Sequence, residues 1–118
     1  MSEEKKQRNS YRDIGIDRRN SIGVIRKPGQ TYEDANKAAR ESGQIIGVLS
    51  ASLRSFETWL LDNGETGVLY RRVTDENDVR GVKFSGMAFA HDWESLRDVD
   101  RTCDELQQRV FKKADQSS

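Results

Sequence analysis

The residue pair with the clearest chemical potential is His91 and Asp92, which are adjacent in the chain. An imidazole beside a carboxylate can act as a general base that the carboxylate orients. His91 is the only histidine, however, and no serine or cysteine nucleophile is tied to it in the sequence. We therefore interpret His91 as a loop residue that precedes a helix cap, and we expect no catalysis through it.

The other candidates for chemistry are the single cysteine and a group of acidic residues. Cys103 alone excludes an internal disulfide framework and a multi-cysteine zinc site, and its place on an apolar helical stripe is typical of a buried hydrophobe. Asp75, Glu76 and Asp78 cluster in a turn, without the apolar pocket that raises a carboxyl pKa. Phosphate-loop, nucleophile-elbow, zinc-protease and calcium-loop motifs are absent from the sequence. The sequence thus predicts that the protein is not an enzyme and has neither a cofactor nor a bound metal.

Basic side chains are the remaining signal, because their charge can bind phosphate. Residues 1–30 carry eight basic and four acidic side chains. In a predicted strand, Tyr70 and Arg72 share one face, and an exposed sheet face with arginine and an aromatic is typical of nucleic-acid surfaces. The candidate nucleic-acid-binding residues are Arg18, Arg19, Arg26, Lys27, Arg71, Arg72, Arg80 and Lys83. The alternative, which we favour, is that these arginines pair with aspartate or glutamate on a solvated sheet face and that the basic N-terminus is a solvated tail.

Composition limits the size of the structure that can hold these residues. The chain has 118 residues, 34% apolar and 34% charged, and its net charge is zero. Its mean hydropathy of −0.88 is low for a globular domain, so we expect part of the chain to lie outside the core. We predict a disordered basic arm at 1–10, one small α+β domain at 11–113 and a frayed tail at 114–118. No apolar run approaches the roughly 18 residues of a membrane span, and the N-terminus lacks a secretory h-region, so we expect a cytoplasmic protein without membrane contact.

The first elements are weakly marked. Two short apolar clusters, at 14–16 and 22–25, flank the polar, turn-forming segment 17–21. This pattern predicts either a weak hairpin or a single strand near 22–26. Pro28 and Gly29 then interrupt the chain.

A long helix is predicted next. Thr31 is suited to cap a helix with Asp34 three residues later, and apolar residues recur at steps of three and four from Tyr32 to Leu60. Two interior glycines, Gly43 and Gly47, leave two interpretations open. Either the helix breaks near Gly43 and 44–50 form a buried strand, or the helix continues and its small residues let another backbone approach. The unbroken spacing favours the continuous helix.

The remainder of the chain predicts a hairpin and a second helix. Residues 68–73 and 79–89 alternate as strands, with 75–78 as the turn between them. Asp92 is suited to cap a last helix, with Trp93 just inside it and an apolar stripe that runs to Val110. The resulting order is α+β: a long helix, an antiparallel hairpin and a C-terminal amphipathic helix, with an extra N-terminal strand or hairpin.

The long helix exceeds its partner by about three turns, so part of its apolar stripe is predicted to be uncovered. We therefore expect a homodimer whose interface comprises Ile46, Leu49, Leu53, Phe56 and Trp59. The first function hypothesis is a small non-enzymatic interaction or regulatory protein that acts by binding a macromolecule, as accessory proteins of phages, viruses and plasmids do. The alternative is a nucleic-acid-binding protein that uses residues 5–27 and the arginine-bearing hairpin.

Overall fold

A mixed sheet with helices on both faces organises the part of the chain that the structure describes. This computed structural model describes residues 13–117, with side chains described from 13 to 110. Within this part, five strands and three α-helices form an α+β fold, as the sequence predicts. The elements are β1 (Asp13–Asp17), β2 (Ile22–Arg26), α1 (Tyr32–Ser42), β3 (Ile45–Leu49), α2 (Leu53–Asn63), β4 (Leu69–Val73), β5 (Gly86–Phe89) and α3 (Val99–Ser117), with 3-10 turns at Glu76–Asp78 and Trp93–Ser95. The predicted disordered arm at 1–10 lies outside the described residues.

The strand order in the sheet is β1-β2-β4-β3-β5. β1 and β2 form an antiparallel hairpin, which confirms the first of the two alternatives for the N-terminal segment. β2 is antiparallel to β4, whereas β3 is parallel to both of its neighbours, β4 and β5. β3 therefore lies inside the sheet, and its residues Val48 and Leu49 are fully buried.

The predicted long helix is wrong, because the chain forms two helices with β3 between them. The Thr31 hydroxyl does cap α1 by accepting from the Asp34 N–H at 3.1 Å. The helix ends at Gly43, whose left-handed φ of 73° fits a C-cap glycine. At Gly47 an added Cβ would lie 2.9 Å from the Leu106 side chain, so this glycine permits close packing of α3 on a strand. The apolar residues of a short strand that is buried on both faces can have the same spacing as the apolar stripe of a helix. Only pairing with other strands distinguishes the two structures.

The predicted hairpin between 68–73 and 79–89 is also wrong. β4 and β5 are not neighbours, since both pair with β3 in parallel. The 75–78 segment is a 3-10 turn in which the Asp75 carboxylate accepts from the Asn77 N–H at 2.9 Å. Val79 and Phe84, in the connection that follows, are fully buried and attach it to the core.

The C-terminal helix starts later than predicted. Trp93 lies in a 3-10 turn, and α3 begins at Val99. Asp92 does not cap α3, because its carboxylate accepts from the Ala51 N–H at 2.9 Å and the Ser52 hydroxyl at 3.0 Å. α3 continues through Ser117, into the segment predicted as a frayed tail, and Ser118 lies outside the described residues.

The core has a layer on each face of the sheet. α1 and α3 pack on one face and α2 on the other, where Phe56 and Leu60 contact Val48 and Tyr70. The five residues assigned to a homodimer interface belong to this core. Leu49 and Phe56 are fully buried in the single chain, in the layers on opposite faces of the sheet, and Ile46, Leu53 and Trp59 are partly buried against the cluster that contains Phe56. The uncovered apolar strip from which the interface was inferred is therefore not present in the described residues.

Candidate functional site

A crevice lies at the carboxyl edge of the parallel strands, for a topological reason. β3, β4 and β5 are parallel, so their carboxyl ends lie at one edge of the sheet. The chain leaving β3 enters α2 on one face, whereas the chain leaving β4 crosses the opposite face, where Val79 and Phe84 pack against Leu106. Adjacent parallel strands whose connections leave on opposite faces open a crevice between them, and ligands of α/β sheets bind at such points.

A cavity of about 570 Å³ occupies this position. Its volume falls in the range of roughly 300–1,000 Å³ that is typical of small-molecule sites. Residues that follow β3 and β4 line one side, and residues that precede or begin α3 line the other. The lining residues are Ala51, Arg72, Thr74, Asp75, Glu76, Asn77, Ser95, Leu96, Arg97, Asp98, Arg101 and Thr102.

Arg72 is the lining residue that belongs to a strand of the sheet. It lies near the end of β4, and its backbone N–H donates to the Ser21 carbonyl at 2.9 Å. One terminal nitrogen of its guanidinium donates to the Ala51 carbonyl at 3.0 Å, whereas its Nε is buried without a hydrogen-bond partner in the described part of the chain. The contacts within the chain thus leave donors of the Arg72 guanidinium uncommitted.

The opposite wall contributes two further arginines. Arg101 lies 3.8 Å from the Glu76 carboxylate, whereas Arg97 makes no hydrogen bond or ion pair with any residue that the structure describes. Asp98, between them, has a left-handed φ of 52°, and its carbonyl accepts from the Thr102 N–H at 3.0 Å. Left-handed backbone at a residue other than glycine is uncommon and is concentrated at functional positions.

Asp92, which follows β5, accepts hydrogen bonds from residues that follow β3. Burial acts to raise the pKa of its carboxyl, but hydrogen bonds from Ser55, Ala51 and Ser52 outweigh that effect, so the pKa lies below its ordinary value. The neighbouring His91 side chain is exposed. Asp92 therefore acts as a charged acceptor that positions Ala51, whose carbonyl in turn holds Arg72.

Comparison with protein-family models, curated proteins and solved structures gives no match for this chain. Its function is therefore inferred from the geometry of its own residues.

Most of the predicted nucleic-acid-binding arginines are engaged within the chain. Arg71 donates from Nε to the Asp78 carbonyl at 2.7 Å, and Arg80 lies 3.9 Å from Glu76. The Arg26 guanidinium bonds to the Asp13 carboxylate and lies 5.0 Å from the centre of the Tyr32 ring. Arg26 and Arg80 thus lie beside carboxylates of their own chain, and Arg71 lies beside Asp78. Nucleic-acid binding through these residues stays a prediction.

The remaining basic candidates are exposed but do not share a surface. Arg18 lies 3.7 Å from Glu57 and Arg19 lies 3.7 Å from Asp17, both in the β1–β2 turn at the carboxyl edge of β4. Lys27 is exposed at the opposite end of β2, and Lys83 is exposed in the connection before β5. Across the five residues of a strand the two ends are separated by roughly 13–17 Å, so one short phosphate segment does not contact all of them.

The two edges of the sheet differ in chemistry. β1 begins and ends with the aspartates Asp13 and Asp17. β5 contains no charged residue and pairs with β3 alone among the described strands. Phe89 at its end is 43% exposed, and its ring stacks edge-on to Trp93 with 4.8 Å between ring centres. The β5 edge is therefore an apolar surface with an open strand.

Cys103 and the acidic side chains of the described residues also bear on reactive and metal chemistry. Burial raises the pKa of the Cys103 thiol, which opposes formation of the reactive thiolate. Among the described residues, three or more histidine, cysteine or acidic side chains are nowhere grouped so that they would hold a metal. The helices in the same part of the chain also include none that is long and apolar enough to cross a membrane.

Sequence reasoning missed the crevice and singled out neither Arg97 nor Arg101, which line it. The usable signal is that polar residues occur just after each parallel strand: Ser50 and Ser52 after β3, Thr74 and Asp75 after β4, and His91 and Asp92 after β5. That signal depends on recognising 45–49 as a strand, and the continuous helix was preferred there.

Proposed function

We propose that this chain is a non-enzymatic interaction protein that binds an extended segment of another protein along the β5 edge. The observation that carries this proposal is that β5 has a strand partner on one side only, within residues 13–117. An open edge presents backbone N–H and C=O groups that an extended peptide can pair with, and recognition by strand addition uses this arrangement.

The chemistry of the edge supports addition at β5 and opposes it at β1. Charged residues at an edge strand disfavour pairing with another chain. β1 carries Asp13 and Asp17, and the exposed Arg18 follows it directly. β5 offers only glycine, methionine, alanine and phenylalanine, so added backbone meets no charge there.

The side chains around β5 define the partner. Phe89 is exposed beside the edge, and its ring packs edge-on against the half-buried Trp93. An added strand places alternate side chains on the same face of the sheet, at the level of this pair. The partner segment is therefore extended, uncharged, and apolar at every second position.

Panning a phage-displayed library of random peptides on the immobilised chain tests the proposal. The variant Phe89→Glu removes the exposed ring and adds charge at the edge. Tyr32→Glu is the matched control, because Tyr32 is the other exposed large hydrophobic residue described, 39% exposed, and lies at the start of α1. Circular dichroism establishes that both variants are folded.

We expect enrichment of uncharged peptides with alternating apolar residues on the unmodified chain and on Tyr32→Glu, with loss of binding on Phe89→Glu. The proposal is overturned by an absence of enrichment, by enrichment of strongly charged peptides, or by peptides that bind Phe89→Glu as well as the unmodified chain.

A further inference from the structure

We propose that the crevice at the carboxyl edge binds a small organic anion through a phosphate or carboxylate group, with Arg72 and Arg97 as the principal ligands of that group. None of the residues that line this site belongs to β5, and its test does not use the peptide-binding measurement of the proposed protein interaction.

The first support is position. The cavity lies beside the ends of β3 and β4, whose connections leave on opposite faces of the sheet. The cavity therefore lies where the topology of a parallel sheet is expected to open a crevice. Its volume of about 570 Å³ suits a metabolite-sized molecule.

The second support is that most of the acidic side chains lining the cavity already have partners within the chain, whereas two of the basic ones retain free donors. The lining holds three arginines, Arg72, Arg97 and Arg101, and three acidic residues, which are Asp75, Glu76 and Asp98. The formal charges cancel, but the acidic and the basic residues differ in the hydrogen bonds and ion pairs that they make within the chain.

The acidic side chains are mostly occupied. The Asp75 carboxylate accepts from backbone N–H groups of its own 3-10 turn, at 2.9 Å from Asn77. Glu76 lies within 3.9 Å of Arg80 and 3.8 Å of Arg101. Among the acidic lining residues, Asp98 alone has a carboxylate without a partner in the described part of the chain.

Two of the arginines, in contrast, retain free donors. Arg72 commits one terminal nitrogen to Ala51, and its Nε has no partner in the described part of the chain. Arg97 has no partner there at all, and it is exposed at the mouth of the crevice. Guanidinium groups bind carboxylate and phosphate through paired N–H donors, so these two residues form the natural receptor for an anion.

The third support is that the Nε of Arg72 is buried without an acceptor among the described residues. A buried guanidinium N–H without an acceptor is unfavourable, and reorientation of Arg72 onto a bound anion would provide one. Asp98 holds its left-handed backbone beside the same cavity.

Titration of the full chain with defined anions, followed by ¹H–¹⁵N NMR, tests the site. The probes are inorganic phosphate, pyrophosphate, succinate and citrate, and chloride at matched ionic strength measures unspecific salt effects. The phosphate and carboxylate arms distinguish the two sources of the anionic group. Saturable shifts at Ala51 and at 97–102 with at least one multivalent probe, and none with chloride, are the expected result.

Variants identify the ligands. Arg97→Gln removes an exposed donor with little risk to folding, and Arg72→Lys keeps the charge but loses the paired donors. We expect each to weaken binding about tenfold or more, the usual effect of losing a charged hydrogen bond. Arg40→Gln is the control, because Arg40 lies at the end of α1, beside the amino end of β3, and we expect it to change affinity by less than about twofold.

Three outcomes overturn the proposal: shifts that fail to saturate with every probe, shifts that map to residues away from the crevice, and equal weakening by Arg40→Gln and Arg97→Gln. The last would mean that the anions respond to overall charge and not to this site.

Discussion

A terminal guanidinium nitrogen of Arg72 donates a hydrogen bond to the carbonyl oxygen of Ala51 at 3.0 Å. Ala51 follows β3, and its own N–H donates to the Asp92 carboxylate at 2.9 Å. Arg72 belongs to β4, and Asp92 follows β5. The carboxyl ends of all three parallel strands are therefore held together through one residue.

The Arg72 contact predicts a stability change. Arg72→Ala removes the donor to Ala51, and we expect the free energy of unfolding in urea to fall by about 1–2 kcal/mol, the usual cost of losing a hydrogen bond to a charged group. Arg19→Ala is the control, because the Arg19 side chain is 91% exposed, and its effect should stay within about 0.5 kcal/mol. Equal effects of the two variants would contradict the structural role of Arg72.

The Asp92 contact predicts a pH dependence. Because the folded pKa of Asp92 lies below its ordinary value of 3.8, the charged carboxylate stabilises the fold above that pH, and the contribution disappears as the pH falls through the folded pKa. Asp92→Asn should therefore be less stable than the unmodified chain at pH 7. We expect the difference to narrow below the ordinary pKa, as measured by urea unfolding at several pH values. A difference that is constant with pH would show that the charge of Asp92 does not contribute.

Gly47 predicts a packing effect. An added Cβ would lie 2.9 Å from Leu106 and 3.0 Å from Phe84, both fully buried, so Gly47→Ala should overpack the core and lower stability by about 1–3 kcal/mol. Gly43→Asn is the comparison, because no atom lies within 4 Å of a Cβ added there and asparagine tolerates left-handed backbone. Its cost should be below about 1 kcal/mol. Thermal and urea unfolding measure both, and a larger loss at Gly43 would contradict the packing of α3 on β3.

Substitution of Phe56 distinguishes a residue of the monomer core from a residue of a dimer interface. Its side chain has no exposed surface in the single chain, so Phe56→Ala should cost about 3–5 kcal/mol in unfolding free energy without a specific effect on association. The homodimer stays a prediction, and light scattering at tens of micromolar tests it against the chain mass of 13.5 kDa. Loss of stability that disappears on dilution of both proteins would assign Phe56 to an interface.

The arginine contacts predict weak nucleic-acid binding. Arg26, Arg71 and Arg80 face carboxylates or carbonyls of their own chain, so phosphate would have to displace existing contacts. We expect little change in the fluorescence anisotropy of labelled single- or double-stranded DNA or RNA at near-physiological salt. Tight binding that weakens steeply with salt and is reduced by Arg18→Ala would contradict this expectation and favour the nucleic-acid hypothesis.

The elements set by local chemistry were predictable from the sequence. The Thr31 cap of α1 depends on residues three positions apart, and the β1–β2 hairpin depends on a short turn, so both are visible in a short window. β3 was not predictable with the same certainty, because its apolar residues at 45–49 fit a helical stripe as well as a strand. The pairing of β5 with β3 joins distant segments, and no local signal opposes the hairpin that adjacent strands suggest.

The candidate site was likewise predictable only where a local sequence pattern marked its residues. Arg72 was identified as a functional candidate from its charge and strand position, but it was assigned to nucleic-acid binding and not to a crevice. Arg97 and Arg101 were not singled out from the sequence, because basic residues three or four positions from acidic ones are common on the solvated face of any helix. Only the topology places them opposite Arg72, since the crevice exists because two connections leave the sheet on opposite faces.

The position of β3 between β4 and β5 also has a consequence for the order in which the chain is synthesised. β3 emerges before both of its neighbours, and β5 emerges last of the strands. Until Gly86–Phe89 are available, β3 is an unprotected edge strand that contains Val48 and Leu49, and α3 cannot yet cover it. A nascent chain at this stage carries an exposed apolar edge of the kind that promotes aggregation. Synthesis of β5 and α3 therefore covers β3 and leaves β5 as the open strand on this side of the sheet.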